Sequence, residues 1–503
     1  MRPPDKTVLM EDHDKAYHVW KESGIKDRTL LHIDAHIDFG YLPDMDLSEI
    51  LAIGDPEELN RLLRHQPLWN PFMKERRKMI NIGNYIFQAL KEGMIKRFYW
   101  VVPEPSWESR RGLRYIKNTL KEHLKVKRYV DKNLEVNNDY LYSRIFGKDV
   151  FVLPLSHLPT IDEGVLLDID VDFLLTGFIR DGTNPGRTPW ILPEQLIERL
   201  ASKVTNIDIL TIAYSVEGGF TPLRYKYLGE ELRLLFSERL LSEEDNLKER
   251  IKNIMQLKRK AIEYEKSGDY KGCINTYEDA LRLDEKDASI YYNLCLLYLN
   301  QGEGNLASHF YQKAIQLDPS YKTPYNNDGI IYEELGKIKE AENAYKRFLS
   351  IDPENVSVLN GLGRISLSHK RFKEAERYFN QSLEINRGSI DALLGLGITY
   401  FRSGRFKEAE GLFLKAKDIE SEEPLPYLWL AKSSEKIKDT DKAIGHYKQA
   451  VMYGLIDHRI HFRLFYLYLR KGFYYCAWDE IKRAIKLFIN NLKAIIWTKI
   501  GVL

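Results

Sequence analysis

The chain has 503 residues, roughly three to four times a typical single domain, so length alone implies several units. Lys+Arg at 75 against Asp+Glu at 73 leaves a formal net charge of +2, which excludes a polyelectrolyte and argues against sequence-independent nucleic-acid binding. Hydrophobic residues at 44% exclude wholesale disorder, and three cysteines cannot build a disulfide framework. The opening MRPPDKTVLMEDHDK has no signal-peptide core, and no uncharged run of about 18 residues offers a membrane span. A soluble, cytoplasmic, multidomain protein is expected, with no nucleic-acid and no membrane partner.

Over residues 1–236, short apolar runs (TVLM, TLLHI, RFYWVV, DVFVL, GVLLDI, IDILTIAY) alternate with helix-like stretches such as PEQLIERLASKV. Continuous rather than alternating apolar strands predict an α/β three-layer domain, its parallel sheet covered on both faces. In such sheets chemistry collects at the carboxyl ends of strands. His13 follows TVLM. Asp34, His36 and Asp38 follow TLLHI at a spacing of two, which points all three side chains the same way on an extended chain. LLDIDVDFL sets Asp168, Asp170 and Asp172 on one strand face, where like charges repel unless a cation or protons compensate. Imidazole with carboxylate suits Mn²⁺, Fe²⁺ or Zn²⁺. An Asp after a strand is commonly a helix N-cap, and His13 alone serves equally well at a surface. The joint presence of three such strand ends in one domain is what points to metal.

Residues 237–253, SERLLSEEDNLKERIKN, read as a charged helical linker. From 254 to 491 the sequence repeats every 34 residues. Cys273, Ala307, Ala341, Ala375, Ala409, Ala443 and Ala477 form one register; Tyr277, Tyr311, Tyr345, Phe379, Phe413, Tyr447 and Ile481 form another, four residues on. Gly268, Gly302, Gly336, Lys370, Gly404, Lys438 and Gly472 form a turn register. Small residues let helices approach and the aromatic on the same face fills the gap, which is similar to the tetratricopeptide repeat: an all-α solenoid of seven units. Residues 492–503 would cap it. Cys273, Cys295 and Cys476 sit at or beside small packing positions and read as core fillers. Such solenoids present a groove for a peptide or a protein partner.

The order of an upstream D-H, then DAHxD, then DxD after an apolar strand resembles the arginase and ureohydrolase superfamily. The match is closest to the divergent group that includes peptide arginases, which convert arginine side chains in ribosomal peptides to ornithine. NIGNYIFQALKEGMIKRFYWVVPEP, LDIDVDF and TIAYS share that likeness. The resemblance implies a dinuclear metal hydrolase acting on a C–N bond, with two Mn²⁺ (alternatively Zn²⁺ or Fe²⁺). His13, Asp34, Asp38 and one Asp of the 168/170/172 set would hold one ion; His36, Asp34 and two of that set would hold the other. The pair within DIDVD can be 168/170 or 170/172. The resemblance places Glu217 against the substrate cation, where a plain turn residue is the competing reading; His157 is a loose candidate for the proton shuttle. After DAHID the chain runs FGYLPD, without the polar residues that grip free arginine, which fits a substrate in peptide linkage. Alternatives are a zinc deacetylase-like amidohydrolase, whose chemistry generally needs a His-His pair that this sequence lacks, and a non-catalytic repeat scaffold with a degenerate metal-binding domain. A phosphatase or nuclease is more distant.

Overall fold

The computed structural model describes residues 2–36, 85–123, 130–175, 188–216, 221–236, 245–322, 328–334, 336–421, 423–453, 455 and 457–500. Asp38, Glu217 and the FGYLPD stretch lie outside the described residues.

Eight strands form one sheet: β1 Lys6–Met10, β2 Arg28–Ile33, β3 Ile95–Val102, β4 Val130–Val136, β5 Leu141–Ile145, β6 Lys148–Pro154, β7 Ile161–Asp170 and β8 Val204–Ala213, in the order β1-β8-β7-β2-β3-β6-β5-β4. Neighbours from β1 to β6 are parallel, while β5 runs antiparallel to both β6 and β4. The sheet is therefore mixed, not parallel throughout. The reason is local. Phe146 and Gly147 join β5 to β6 with φ of 51° and 71°, the two-residue geometry that reverses a chain, and so short a link cannot cross over.

Leu30, Leu31 and Ile33 on β2, and Val165, Leu166, Leu167 and Ile169 on β7, are fully buried, so both sheet faces are covered there. The helices between strands are α1 Asp14–Glu22, α2 Tyr85–Lys91, α3 Glu104–Glu108, α4 Arg110–His123, α5 Pro193–Ala201 and α6 Tyr227–Phe236. Because β1, β8, β7 and β2 are neighbours, their carboxyl ends bring His13, Ser215, Asp170 and Asp34 to one edge of the sheet.

The rest is helical, in seven pairs among the described residues: α7 Asp245–Ser267 with α8 Tyr270–Leu283, α9 Ala288–Asn300 with α10 Gly304–Leu317, α11 Asp328–Glu334 with α12 Ile338–Ile351, α13 Val356–Ser368 with α14 Phe372–Ile385, α15 Ile390–Arg402 with α16 Phe406–Ile419, α17 Pro424–Ile437 with α18 Thr440–Met452, and α19 His458–Arg470 with α20 Tyr474–Ile500. All seven small-register residues, Cys273 through Ala477, are buried. A Cβ on Gly397 would come within 2.4 Å of the Phe413 ring, which shows why this helix face stays small. The whole turn register is left-handed, from φ 60° at Lys370 to 87° at Gly404. Cys273 and Cys295 are buried as expected, but Cys476 is exposed. It precedes the buried Ala477 and so points about 100° away from it on the helix.

Of the expected helical linker 237–253, residues 245–253 are helical and continue without a break into the rest of α7, and residues 237–244 lie outside the described residues. Likewise α20 runs unbroken to Ile500, so residues 492–500 extend the last repeat helix instead of forming a distinct cap. The described chain falls into two compact units, one from the α/β part through Pro353, the other from Glu354 onward. Within the first, the α/β part is bonded to the first repeats. The Arg224 guanidinium, on the turn Leu223–Tyr225, donates to both Glu265 oxygens (2.9 and 2.5 Å) and to Asn293 (3.2 Å), whose amide donates back to the Arg224 carbonyl at 3.1 Å. Lys258 of α7 pairs with Asp287 at 2.7 Å and lies 4.4 Å from the Tyr227 ring centre. Glu231 of α6 is buried beside this pair; burial and the Asp287 charge outweigh Lys258 and raise its carboxyl to about 7.

Two tests follow from this architecture. A raised folded-state pKa means that the native protein holds the Glu231 proton more tightly than the unfolded chain. Its stability contribution is therefore greatest below the ordinary value and falls as pH rises toward 7. Glu231→Gln is expected to flatten the pH dependence of unfolding between about pH 5 and 8 and to add about 3 kcal/mol at the upper end, read by denaturant titration. In the turn register, a Cβ on Gly404 meets no atom within 4 Å, so Gly404→Ala carries only the left-handed penalty, about 1 kcal/mol. Lys438→Gly relieves that penalty and is expected to stabilise by about 0.5 kcal/mol in thermal unfolding.

Candidate metal centre

Strand β2 ends at Ile33, and the alternation of an extended chain carries His32, Asp34 and His36 to one side. Next to it β7 delivers Asp168 and Asp170, and the 3₁₀ turn Val171–Leu175 carries Asp172. His13 arrives from the end of β1, immediately before α1. Three sets of donor atoms gather within 4.8 Å of one another: His13, His32 and Asp168; His13, Asp34 and Asp170; and Asp34, His36 and Asp172. Asp34 is common to the last two.

The four carboxylates are not equivalent. Asp168 accepts from the Thr211 hydroxyl (2.5 Å) and the Tyr85 hydroxyl (2.6 Å) and lies 3.0 Å from His32 Nδ1. Both of its oxygens are bonded, and it also belongs to the donor set with His13 and His32. Asp170 accepts from Ser215 Oγ at 2.5 Å and from the Asp172 amide at 2.9 Å, which fix its plane. Asp34 accepts from the His36 amide at 2.6 Å through Oδ1, and its carbonyl accepts from the Trp100 indole at 3.0 Å. Its Oδ2 is buried and no aligned donor reaches it, although His32 Nε2 lies at 3.1 Å and His13 Nδ1 at 3.4 Å. Asp172 Oδ2 is also buried without a hydrogen bond, with His36 Nδ1 only 2.8 Å away.

Atoms this close, and not aligned as donor and acceptor, are converging on a shared point. Buried carboxylate oxygens without donors are costly unless a cation meets them. The donor chemistry fits divalent cations, and the donor sets take in Asp168, Asp170 and Asp172 alike. His13 and Asp34 with Asp170 would hold one ion; His36 and Asp34 with Asp172 would hold the other.

The titration pattern has the same origin. Burial raises Asp170, and the Asp172 and Asp34 charges push it further, well above the usual carboxylate range. Asp172 rises for the same reasons, burial first and Asp34 second. Burial works against charge on Asp34 too, but His32, His13 and His36 hold it well below the usual range. His32 is pushed up to about 9, because Asp34 and the bond to Asp168 outweigh its burial. A negative pocket collects positive partners by whatever means it has.

His157 does not join these sets. It lies just past β6, its side chain is 37% exposed, and its Nδ1 is 2.9 Å from the Asp139 carbonyl. His32, Tyr85, Thr211 and Ser215 were not singled out from sequence. His32 stands in phase with Asp34 and His36, while Tyr85 lies within NIGNYIFQALKEG and Thr211 and Ser215 within TIAYS, stretches that carry the family likeness.

Tetratricopeptide-repeat family models match residues 263–302, 288–321, 328–390 and 366–432, so the C-terminal part of the chain is built from these repeats. No curated protein matches the chain. Among solved structures, MamA is 22% identical over 33% of this chain and 96% of its own, with a TM-score of 0.30. YrrB, described as a TPR protein with an unusual peptide-binding site, is 23% identical over 37% and 94%, with a TM-score of 0.27. A tetratricopeptide repeat protein from Parabacteroides merdae is 19% identical over 50% and 100%, with a TM-score of 0.29.

The shared position of Asp34 is testable by stoichiometry. Protein equilibrated with Mn²⁺ and desalted is expected to retain two ions per chain by elemental analysis, His36→Ala to retain about one, and Asp34→Asn none. Thr211→Val is expected to leave the ion count unchanged while destabilising the fold by about 1–3 kcal/mol, since it strips a donor from a buried carboxylate.

Proposed function

We propose that the α/β part of this repeat protein is a dinuclear metal hydrolase acting on a C–N bond, its substrate the guanidinium of arginine residues in a peptide or protein, its products ornithine and urea. The observation that carries this reading is the pair of buried donor sets sharing Asp34, in which imidazole nitrogens and carboxylate oxygens converge. Imidazole with carboxylate suits Mn²⁺, with Zn²⁺ or Fe²⁺ as alternatives. When bound, such ions supply Lewis acidity and lower the pKa of water toward neutrality.

The chain's own residues supply the rest. Ser215 and the Asp172 amide hold the Asp170 carboxylate in one orientation. Thr211, Tyr85 and His32 keep Asp168 fixed behind it, and Trp100 pins the Asp34 backbone. His13, His32, Asp34 and Asp168 are all but inaccessible, whereas the His36 side chain is 29% exposed, so a substrate approaches from the His36 side. A guanidinium arriving there needs an anion to hold it. Glu217, two residues beyond Ser215, is the group we assign to that role. Substrate in peptide linkage is supported by the continuation of DAHID as FGYLPD, which lacks groups for a free α-carboxylate.

The repeats supply a surface for a peptide or a partner protein. If a segment of the substrate polypeptide is held there, the concentration of its arginines near the metal centre rises without tight binding at the centre itself. Three unpaired cysteines fit a reducing cytoplasm. The repeats also favour a second reading, a scaffold whose α/β part binds metal without turnover.

The two readings separate in one experiment. Mn²⁺-loaded full-length protein is expected to release urea from arginine-containing peptides with a mass loss of about 42 Da per arginine, the CN₂H₂ lost on conversion to ornithine. Asp170→Asn is expected to lower that rate by at least about a thousandfold. Two bound ions with neither urea nor mass change would leave the scaffold.

A further inference from the structure

Charges that cancel over the whole chain do not cancel in its last helix pair. Residues 458–488 hold seven Lys or Arg against two Asp or Glu; Arg459, Arg463, Lys471 and Arg483 are paired with Asp457, Glu435, Asp441 and Glu480. One of those acids, Glu480, is 9% exposed and lies 2.5 Å from His461. The same segment carries the most exposed aromatics among the described residues: Tyr475 at 79%, Tyr474 at 72% and Trp478 at 61%, with Phe473 at 51% beside them.

The repeat itself does not require Tyr475 or Trp478, whereas Tyr474 stands in a register that also holds Phe406, Phe372, Ile338 and Tyr270. Stepping back from Tyr475 by 34 gives Asp441, Lys407, Lys373, Lys339, Asn305 and Lys271, a position that is otherwise polar throughout. From Trp478 the same step gives Ile444, Glu410, Glu376, Glu342, Ser308 and Ile274. On α20, helical spacing aligns Tyr474, Trp478, Ile485 and Phe488 in one stripe, with Tyr475 and Lys482 along its edge. Lys482 Nζ lies 5.4 Å from the Trp478 ring centre and Lys471 Nζ 5.8 Å from that of Phe473. Among the described residues, neither Arg470 nor Lys482 has a carboxylate partner.

Single exposed apolar residues are ordinary, but a contiguous patch marks a docking surface. A second copy of the chain would set cations against cations. Polar-tipped aromatics edged by Lys and Arg suit the boundary between water and acyl chains, and the positive excess suits anionic headgroups. The lack of a membrane-spanning run argued against a membrane partner in the sequence, and no described helix is long and apolar enough to cross one. A helix lying on a surface needs no such run. We propose that α19 and α20 dock on an anionic lipid surface, with Tyr474, Tyr475 and Trp478 at headgroup depth and Arg470 and Lys482 against the headgroup charges. The inference is independent of the metal centre.

Full-length protein is expected to sediment with phosphatidylcholine–phosphatidylserine vesicles and not with phosphatidylcholine alone, and to dissociate as salt is raised. Arg470→Glu with Lys482→Glu is expected to weaken binding by about tenfold or more. Tyr475→Ser with Trp478→Ala should weaken it comparably, with an unchanged circular dichroism spectrum because both side chains are exposed. An environment-sensitive fluorophore on Cys476, the one exposed cysteine of three, should shift to the blue on anionic vesicles. Absence of sedimentation, or variants that bind as the parent does, would overturn the proposal. Binding of poly-glutamate without vesicle binding would also overturn it, by assigning the surface to an acidic polypeptide.

Discussion

Like charges buried together are the constraint around which the α/β part of this chain is organised. Asp34, Asp168, Asp170 and Asp172 are all buried at one edge of a sheet whose central strands are otherwise aliphatic. No fold tolerates four adjacent anions in such a place without compensation. The neighbours show the compensation at work: three imidazoles converge on the carboxylates, two of them drawn toward the protonated state, and two of the carboxylates are drawn toward neutrality. A divalent cation meets the same need more directly. The hydroxyls of Tyr85 and Thr211 bond Asp168, and that of Ser215 bonds Asp170.

The repeats rest on the opposite principle. Their cohesion is short-range and apolar, and it is restated every 34 residues by a small side chain and an aromatic on one helix face. Gly397 under the Phe413 ring shows how little space is left over. The left-handed turn is the second fixed element. Lys370 and Lys438 adopt it without being glycine, so it is dictated by how the two helices of a pair must meet.

Much of this was legible in the sequence, for identifiable reasons. A repeat announces itself because the same contact recurs, and each turn glycine falls where the period requires it. The acids were legible because a carboxylate after an apolar strand is out of keeping with its surroundings. His32 was passed over inside TLLHI, where an imidazole reads as part of a strand, although its phase with Asp34 and His36 was available. The reversal of β5 was hidden in Phe146-Gly147, a pair that does not look like a hairpin turn because its first residue is bulky. Tyr85 and Thr211 stand in the quoted stretches NIGNYIFQALKEG and TIAYS, but their meeting with Asp168 joins a helix and two strands far apart in sequence and is written in neither stretch. The same holds for the first repeats, which composition separates from the α/β part and packing does not.

That last point bears on how the molecule can be taken apart. Arg224 and Glu231 belong by sequence to the α/β part, yet their partners Glu265, Asn293 and Lys258 belong to the repeats. Cutting where the 34-residue period begins would leave a partly buried guanidinium on one fragment and its carboxylate on the other. The seam visible in the alphabet is therefore not a seam in the solid. A graft that moved the α/β part to a new host, or shuffled repeats between proteins, would have to carry the opening helices of the array along as part of the cargo.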